Sequence, residues 1–142
     1  MRLMLFTQIP EMEALNWCWP DFSPSELSCK CGGRFCNGAY WHDATFLDAL
    51  QKLRDDINRP LHISSGHRCS RWNAHVGGAA KSRHLKIAVD ILLAGHHRFV
   101  LRDAAIGLGF NGIGMARSFL HLDRRGQSAN WYYVGSRALW LR

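Results

Sequence analysis

Apolar side chains recur at helical spacing in two stretches of the chain. The first stretch predicts a helix that Asp43 caps and that Asn58 and Pro60 end. The second predicts a helix over roughly residues 96–108, which glycines close. A shorter helix is predicted to start at Ser70, because serine is a favoured N-cap. The first helix has the strongest pattern, with Phe46, Leu50, Leu53 and Ile57 on one face.

Shorter segments alternate apolar and polar residues, as half-buried strands do. Residues 1–24 contain three prolines and predict an irregular segment packed on the main body. We find no internal repeat and no linker, so the pattern predicts a single domain over residues 1–142. Its class is α+β, with a small antiparallel sheet and helices packed to one side. The predicted strands are 61–64, 88–93, 112–115, 119–122 and 131–134, of which the third and fourth form a hairpin.

Composition narrows the class of protein. The chain has 142 residues, of which 47% are hydrophobic and 20% charged, so it can bury a core and is not a disordered protein. Its net charge of +7 indicates an anionic partner, such as nucleic acid, a membrane surface or an acidic cell-wall polymer. The basic residues are scattered rather than gathered on one recognition helix, which argues against specific nucleic-acid binding.

The amino terminus begins like a signal peptide, but Gln8, Pro10 and Glu11 interrupt its apolar run. No small-residue cleavage site follows, and no stretch of the chain approaches the length of a transmembrane helix. We therefore expect a protein that is made and kept in a cytoplasm, from which another protein could release it.

Five cysteines, an odd number, fit a reducing compartment better than a complete disulfide framework. Cys29, Cys31 and Cys36 form a tight group around two glycines, and Cys18 or Cys69 could complete a zinc site with them. Their spacing misses the two-residue separation that is usual in zinc ribbons, so the sequence favours buried free thiols. A second metal ion and disulfides stay open as alternatives.

Two segments carry the candidate chemistry of the chain. They are Ser82-Arg83-His84-Leu85-Lys86-Ile87-Ala88-Val89-Asp90 and Phe119-Leu120-His121-Leu122-Asp123. Each places polar groups in an apolar run, where burial of a charge is costly unless the group is paired or coordinated. Two imidazoles and a carboxylate can hold zinc and leave it a fourth position for water, which makes a hydrolase the leading hypothesis. Taken singly, each residue could instead be exposed or hydrogen-bonded.

The chain resembles the zinc D-alanyl-D-alanine carboxypeptidase family, whose fold is shared with the hedgehog signalling domain and whose phage members are cell-wall endolysins. The resemblance covers about residues 22–131. The segments that match the family are Phe22-Ser23-Pro24-Ser25-Glu26-Leu27 with the cysteines after it, Ser65-Gly66-His67-Arg68, Asn73 with Val76-Gly77-Gly78, Ser82-Arg83-His84, Ala88-Val89-Asp90 and Phe119-Leu120-His121-Leu122-Asp123.

The resemblance implies a zinc ion held by His84, Asp90 and His121, with water in the open position. Two neutral imidazoles and one carboxylate leave such a site with net positive charge, which lowers the pKa of bound water to roughly 7. The resemblance also implies that Arg68 stabilises the oxyanion that develops on the substrate carbonyl, and that Ser82 contacts the peptide. The ordinary alternatives are a surface salt bridge for the arginine and a turn cap for the serine.

The chain departs from the family pattern between the first two ligands. The family separates them by one more residue and places a glycine in the turn, whereas here Lys86 runs directly into Ile87. The shorter turn could shift Asp90, although an even separation still lets two residues of an extended segment face the same side.

A second departure concerns the general base. The family carries an acidic or imidazole side chain two or three residues before the last ligand, where this chain has Ser118 and Phe119. Asp123 is the nearest carboxylate to His121. It could serve as the general base or as the partner that orients an imidazole, and the sequence leaves both roles open.

The sequence therefore predicts a zinc-dependent peptidase that acts on the D-amino-acid-containing stem peptides of bacterial peptidoglycan, at an anionic cell-envelope surface. We expect a phage or prophage endolysin, held in the host cytoplasm before its release to the wall. One rival is a catalytically inactive zinc-binding module of the same fold that binds cell wall or protein. The other is a basic nucleic-acid-binding protein with a cysteine knuckle.

Overall fold

The structure is a computed structural model that describes residues 4–142. Within these residues the strands are β1 (Met4–Phe6), β2 (Tyr40–His42), β3 (Ile63–Ser65), β4 (Val89–Leu92), β5 (Gly112–Met115), β6 (Phe119–Asp123) and β7 (Ala129–Tyr132). The helices are α1 (Pro24–Leu27), α2 (Ala44–Ile57), α3 (Ser70–His75) and α4 (Arg98–Gly107). Turns of 3₁₀ helix lie at Glu13–Leu15, Arg83–Leu85 and Arg137–Trp140.

The main sheet has five strands in the order β3-β4-β6-β5-β7. The first four are antiparallel to their neighbours, and the predicted β5–β6 hairpin is confirmed. The expectation of a wholly antiparallel sheet is wrong at one edge, where β7 runs parallel to β5. Residues 124–128 carry the chain from the end of β6 past the start of β5, so that β7 pairs with the edge of β5 opposite β6. Strand β7 starts two residues earlier than the sequence predicts.

The two faces of this sheet carry different side chains. On one face, apolar residues from β4, β5 and β6 are buried in a single core together with α2 and α4. Each fully buried aliphatic side chain of this kind contributes roughly 1.5–3 kcal/mol to folding. The predicted α+β class with helices on one side is therefore confirmed. The core residues of the three strands include Val89, Ile91, Ile113, Leu120 and Leu122.

Local signals set the ends of the helices. The Asp43 carboxylate accepts a backbone hydrogen bond in the first turn of α2, and Asn58 ends the helix in the left-handed conformation, both as predicted. Helix α4 covers residues 98–107, slightly less than expected. The cap of α3 differs from the prediction, because the Cys69 sulfur rather than the Ser70 hydroxyl accepts the backbone N–H.

The amino-terminal segment is less irregular than the sequence predicts. Of its described residues, Met4–Phe6 form β1 and pair antiparallel with β2. Ser23 caps α1 in a reciprocal arrangement with Glu26, and Pro24 occupies the first helical turn. None of the described helices has the length and apolar character that crossing a membrane requires.

Strand β5 has glycines at the two positions that face away from the core. Gly112 pairs with Asp123 of β6, and Gly114 lies between His121 of β6 and Trp131 of β7. A Cβ atom on Gly114 would lie 2.8 Å from the Trp131 ring, and one on Gly112 would collide with the Asp123 carboxylate. The two glycines therefore leave space over β5 in which side chains of β6 and β7 meet.

We expect Gly112→Ala to lower the free energy of unfolding by about 1–3 kcal/mol, because the buried Asp123 carboxylate cannot move aside without losing its partners. The matched control is Gly107→Ala at the end of α4, where an added Cβ meets nothing within 4 Å. Urea denaturation of both variants checks this expectation. A Gly112→Ala protein as stable as the parent would contradict the packing described here.

Candidate metal centre

Three buried side chains meet on the open face of the sheet. Asp90 of β4 and His121 of β6 are direct cross-strand partners, and His84 lies in the 3₁₀ turn that precedes β4. Nε2 of His84, Oδ1 of Asp90 and Nδ1 of His121 lie 3.1, 3.1 and 3.2 Å from one another. The structure thus brings together the three residues that the sequence offers as metal ligands.

Each imidazole is oriented by an acceptor at its other ring nitrogen. Nδ1 of His84 lies 2.6 Å from the Gly66 carbonyl oxygen, and Nε2 of His121 lies 2.6 Å from Oδ2 of Asp123. A carbonyl oxygen and an ionised carboxylate only accept hydrogen bonds, so these two nitrogens carry the protons. The other two nitrogens therefore direct their lone pairs towards Asp90 and towards each other.

Three ligand atoms at this separation need a proton or a metal ion between them, because their lone pairs otherwise repel one another. Zinc binds imidazole nitrogen and carboxylate oxygen at about 2.0–2.2 Å, which places neighbouring ligand atoms of a tetrahedral site about 3.3–3.5 Å apart. The observed separations of 3.1–3.2 Å are close to that spacing. The residues therefore fit a zinc ion in both chemistry and position.

Asp123 lies behind His121 and is fully buried. Arg125 donates to both carboxylate oxygens, at 2.8 Å from Nε and 2.5 Å from Nη2. Burial raises the pKa of this carboxyl, but the hydrogen bonds from Arg125 and His121 lower it to about 2. Of the two roles that the sequence leaves open for Asp123, this geometry favours orientation of the His121 ring.

Arg68 is held rigidly beside the centre. Its Nε donates to the Ser65 hydroxyl and its Nη1 to Oδ1 of Asn73, each at 3.2 Å. Its Nη2 lies 3.6 Å from Oδ2 of Asp90, the carboxylate oxygen that faces away from the histidines. The Arg68 side chain therefore lines the cleft and does not form a salt bridge on the exposed surface.

The centre lies on the floor of an open cleft of about 500 Å³. The cleft has an aromatic wall and is strongly basic, and among the described residues that line it Asp90 is the one carboxylate. The wall consists of Phe119, Trp131 and Tyr133, and the basic residues are Arg68, Lys81, Arg83 and Arg125.

Comparison with known families identifies the class of protein. The Peptidase M15 family, that of the zinc D-alanyl-D-alanine carboxypeptidases, matches residues 20–123. The chain belongs to this family. M15 peptidases are zinc-dependent, so the protein is a metallopeptidase, and the His84-Asp90-His121 group is its candidate zinc site. No curated protein matches the chain.

The short turn between the first two candidate ligands does not carry Asp90 away from His84. Lys86 takes up the change of direction, with φ −114° and ψ −107°. Its carbonyl oxygen accepts a 2.6 Å hydrogen bond from Nδ1 of the buried His67. This contact fixes the turn without the glycine that the M15 pattern expects, and Asp90 stays 3.1 Å from His84.

Ser82 lies at the edge of the M15 cleft, two residues before His84. Its hydroxyl accepts a 3.2 Å hydrogen bond from the backbone N–H of His84 and so caps the 3₁₀ turn. The structure therefore shows the capping contact, whereas the predicted contact with a peptide substrate stays a prediction.

Several site residues have no functional role in the sequence interpretation. Trp131 and Tyr133 both lie in the predicted last strand, but only the parallel pairing of β7 with β5 brings them to the cleft. Arg125 and Asn73 act through their contacts with Asp123 and Arg68. Asn73 belongs to a segment that matches the family, but that match gives it no role. No local motif marks Trp131, Tyr133 and Arg125, because each depends on a tertiary contact.

We expect Asp123→Asn to weaken zinc binding by about 10–100-fold, because a neutral amide is a poorer acceptor for His121 and a poorer partner for Arg125. Competition with a chromogenic chelator measures the zinc affinity. The control is Asp103→Asn, which changes an exposed carboxylate on α4. Unchanged zinc affinity together with lost catalysis would instead make Asp123 the general base.

Proposed function

We propose that this M15 protein cleaves the D-amino-acid-containing stem peptides of bacterial peptidoglycan. One observation carries the proposal: the three-residue metal centre lies on the floor of an open cleft, beside an arginine that is already fixed in place. A closed structural metal site would have four protein ligands and no access for a substrate.

The residues around the centre have separate tasks in this proposal. His84, Asp90 and His121 would hold the ion, while the Gly66 carbonyl and Asp123 keep the two rings in their ligating orientation. Zinc, when bound, supplies a Lewis acid that polarises a carbonyl and makes a nucleophile from water near neutral pH.

Arg68 is the residue that we assign to the substrate carbonyl. Its guanidinium is fixed by Ser65 and Asn73 before any substrate arrives, so little reorganisation is needed when negative charge develops on the carbonyl oxygen. The contact with Asp90 places this cation next to the metal ligands. The arrangement suits stabilisation of an oxyanion at the scissile peptide bond.

The lining of the cleft supports an anionic peptide as substrate. Four basic side chains and one carboxylate, itself a candidate ligand, line it, so a peptide that bears carboxylates is attracted. The aromatic wall offers apolar contact to small side chains such as that of alanine. The net charge of +7 further favours an anionic envelope surface, and we propose that the protein works there as a phage or prophage endolysin.

A second candidate function is an inactive zinc-binding module of the same fold. This function is favoured because neither carboxylate near the centre is placed to act as a general base. Asp90 is a candidate ligand, and Asp123 is buried behind His121 with both oxygens occupied. Among the described residues that line the cleft, no further carboxylate is available to take a proton. Such a module would bind zinc and peptidoglycan without releasing fragments.

The decisive experiment follows the turbidity of permeabilised Gram-negative cells. We expect turbidity to fall with the parent protein, to stay constant after chelation, and to fall again when zinc is returned. Mass spectrometry of the released peptides then identifies the cleaved bond. His84→Ala is the inactive variant, and His62→Ala, which changes an exposed histidine, is its control.

Each rival function predicts a result that differs from that of a peptidase. Zinc-loaded protein that binds peptidoglycan but releases no peptide would establish the inactive module. Steeply salt-dependent affinity for DNA or RNA that His84→Ala leaves unchanged would establish a nucleic-acid-binding protein.

We expect Arg68→Ala to lower kcat on a cleaved stem peptide by about 10²–10³-fold, because it removes a fixed donor at the developing oxyanion. The zinc content should stay unchanged, since the Arg68 side chain contacts the candidate ligands at the outer oxygen of Asp90, and its backbone hydrogen bond to the His84 carbonyl is kept in the variant. Steady-state kinetics and metal analysis measure both quantities. Arg59→Ala, which removes an exposed side chain that donates to the Gly95 carbonyl, is the control and should retain full activity.

A further inference from the structure

Four of the five cysteines converge at a second place in the fold, outside the metal centre. Their sulfur atoms all lie within 4.8 Å of one another, and those of Cys31 and Cys36 are 3.5 Å apart. All four thiols are free. This cysteine cluster consists of Cys29, Cys31, Cys36 and Cys69.

Backbone N–H groups point at the sulfur atoms of the cluster. Cys69 N–H lies 3.4 Å from the Cys29 sulfur, Ala39 N–H lies 3.5 Å from the Cys36 sulfur, and Trp72 N–H lies 3.4 Å from the Cys69 sulfur. Hydrogen bonds of this kind favour the thiolate, which is the form that binds a metal ion. The surrounding backbone thus offsets part of the charge that thiolate ligands would bring.

The spacing of the sulfur atoms suits tetrahedral zinc. A Zn–S bond of about 2.3 Å places the sulfur atoms of a tetrahedral site about 3.8 Å apart. The cluster, with one pair at 3.5 Å and every pair within 4.8 Å, spans that distance. Four thiolates also fill the coordination shell, so a metal ion here would have no open position and would serve the structure.

The loop that carries three of these cysteines has no helix or strand of its own and packs on α3 through Phe35 and Trp72. Residues 28–39 form neither helix nor strand, and Gly32 and Gly33 turn the chain through φ values of +67° and +86°. The buried apolar residues of its small core are Cys29, Cys31 and Ala39. A metal ion bound by the cysteines would add a constraint to this irregular loop.

We propose that the cysteine cluster binds a structural zinc ion that joins this loop to the start of α3. Cys69 caps α3 and directly follows Arg68, and Asn73 of the same helix holds the Arg68 guanidinium. The ion would therefore also fix the segment that presents Arg68 to the cleft. The proposal does not depend on the identity of the substrate.

Metal stoichiometry tests the proposal directly. We expect two zinc ions per chain in the parent protein, one in a His84→Ala/His121→Ala variant that lacks the open centre, and one in a Cys31→Ser/Cys36→Ser variant. The control is Cys18→Ser, which changes the exposed cysteine outside the cluster and should retain two. A parent protein with one zinc ion, together with none in the double histidine variant, would overturn the proposal.

Three measurements keep the test decisive if the cysteine variant does not fold. A thiol-specific mercurial should release one zinc ion per chain from the histidine variant, detected with a colorimetric indicator. The same variant loaded with Co²⁺ should show the strong thiolate-to-cobalt charge-transfer absorption. An intact mass lower by two hydrogens for each disulfide formed within the cluster would rule the site out, whatever the peptidase assay shows.

Discussion

The centre of this protein rests on an electrostatic constraint, the placing of three lone-pair donors within 3.2 Å of one another inside the fold. Without a metal ion or a shared proton this arrangement is repulsive, and in a buried site the repulsion is not screened by water. It is maintained because Asp90 and His121 face each other across β4 and β6, while Gly66 and Asp123 fix the two rings from behind. The fold is therefore prepared for a divalent ion.

The same sheet has to be rigid on one face and open on the other. Strand β5 meets both needs, since Ile113 lies in the core while Gly112 and Gly114 keep the opposite face free of side chains. Asp123 and Trp131 use the space that these glycines leave. The pairing of β5 with β6 and β7 therefore positions the candidate ligand His121, its orienting carboxylate Asp123 and Trp131 of the aromatic wall together.

Sequence patterns predict the parts of this structure that depend on near neighbours. The apolar period and the Asp43 cap identify α2, and the family motif identifies His84, Asp90 and His121 as candidate ligands. The parallel edge strand, the roles of Trp131 and Arg125, and the choice of Cys69 over Cys18 as the fourth cysteine of the cluster depend on long-range contacts. Pattern and spacing do not encode those contacts, so these features required the structure.

Arg68 lies between the open metal centre and the cysteine cluster and contacts residues next to both. Its guanidinium contacts Asp90 of the open centre on one side and Asn73 of α3 on the other, and the residue after it belongs to the cysteine cluster. The three candidate ligands of the open centre lie on β4, β6 and the turn before β4, outside the cysteine loop. Disorder in the cysteine loop would act first on the position of Arg68, and therefore on stabilisation of the substrate carbonyl. Two ions of the same element would then have separable tasks, one in chemistry and one in holding the arginine that assists it.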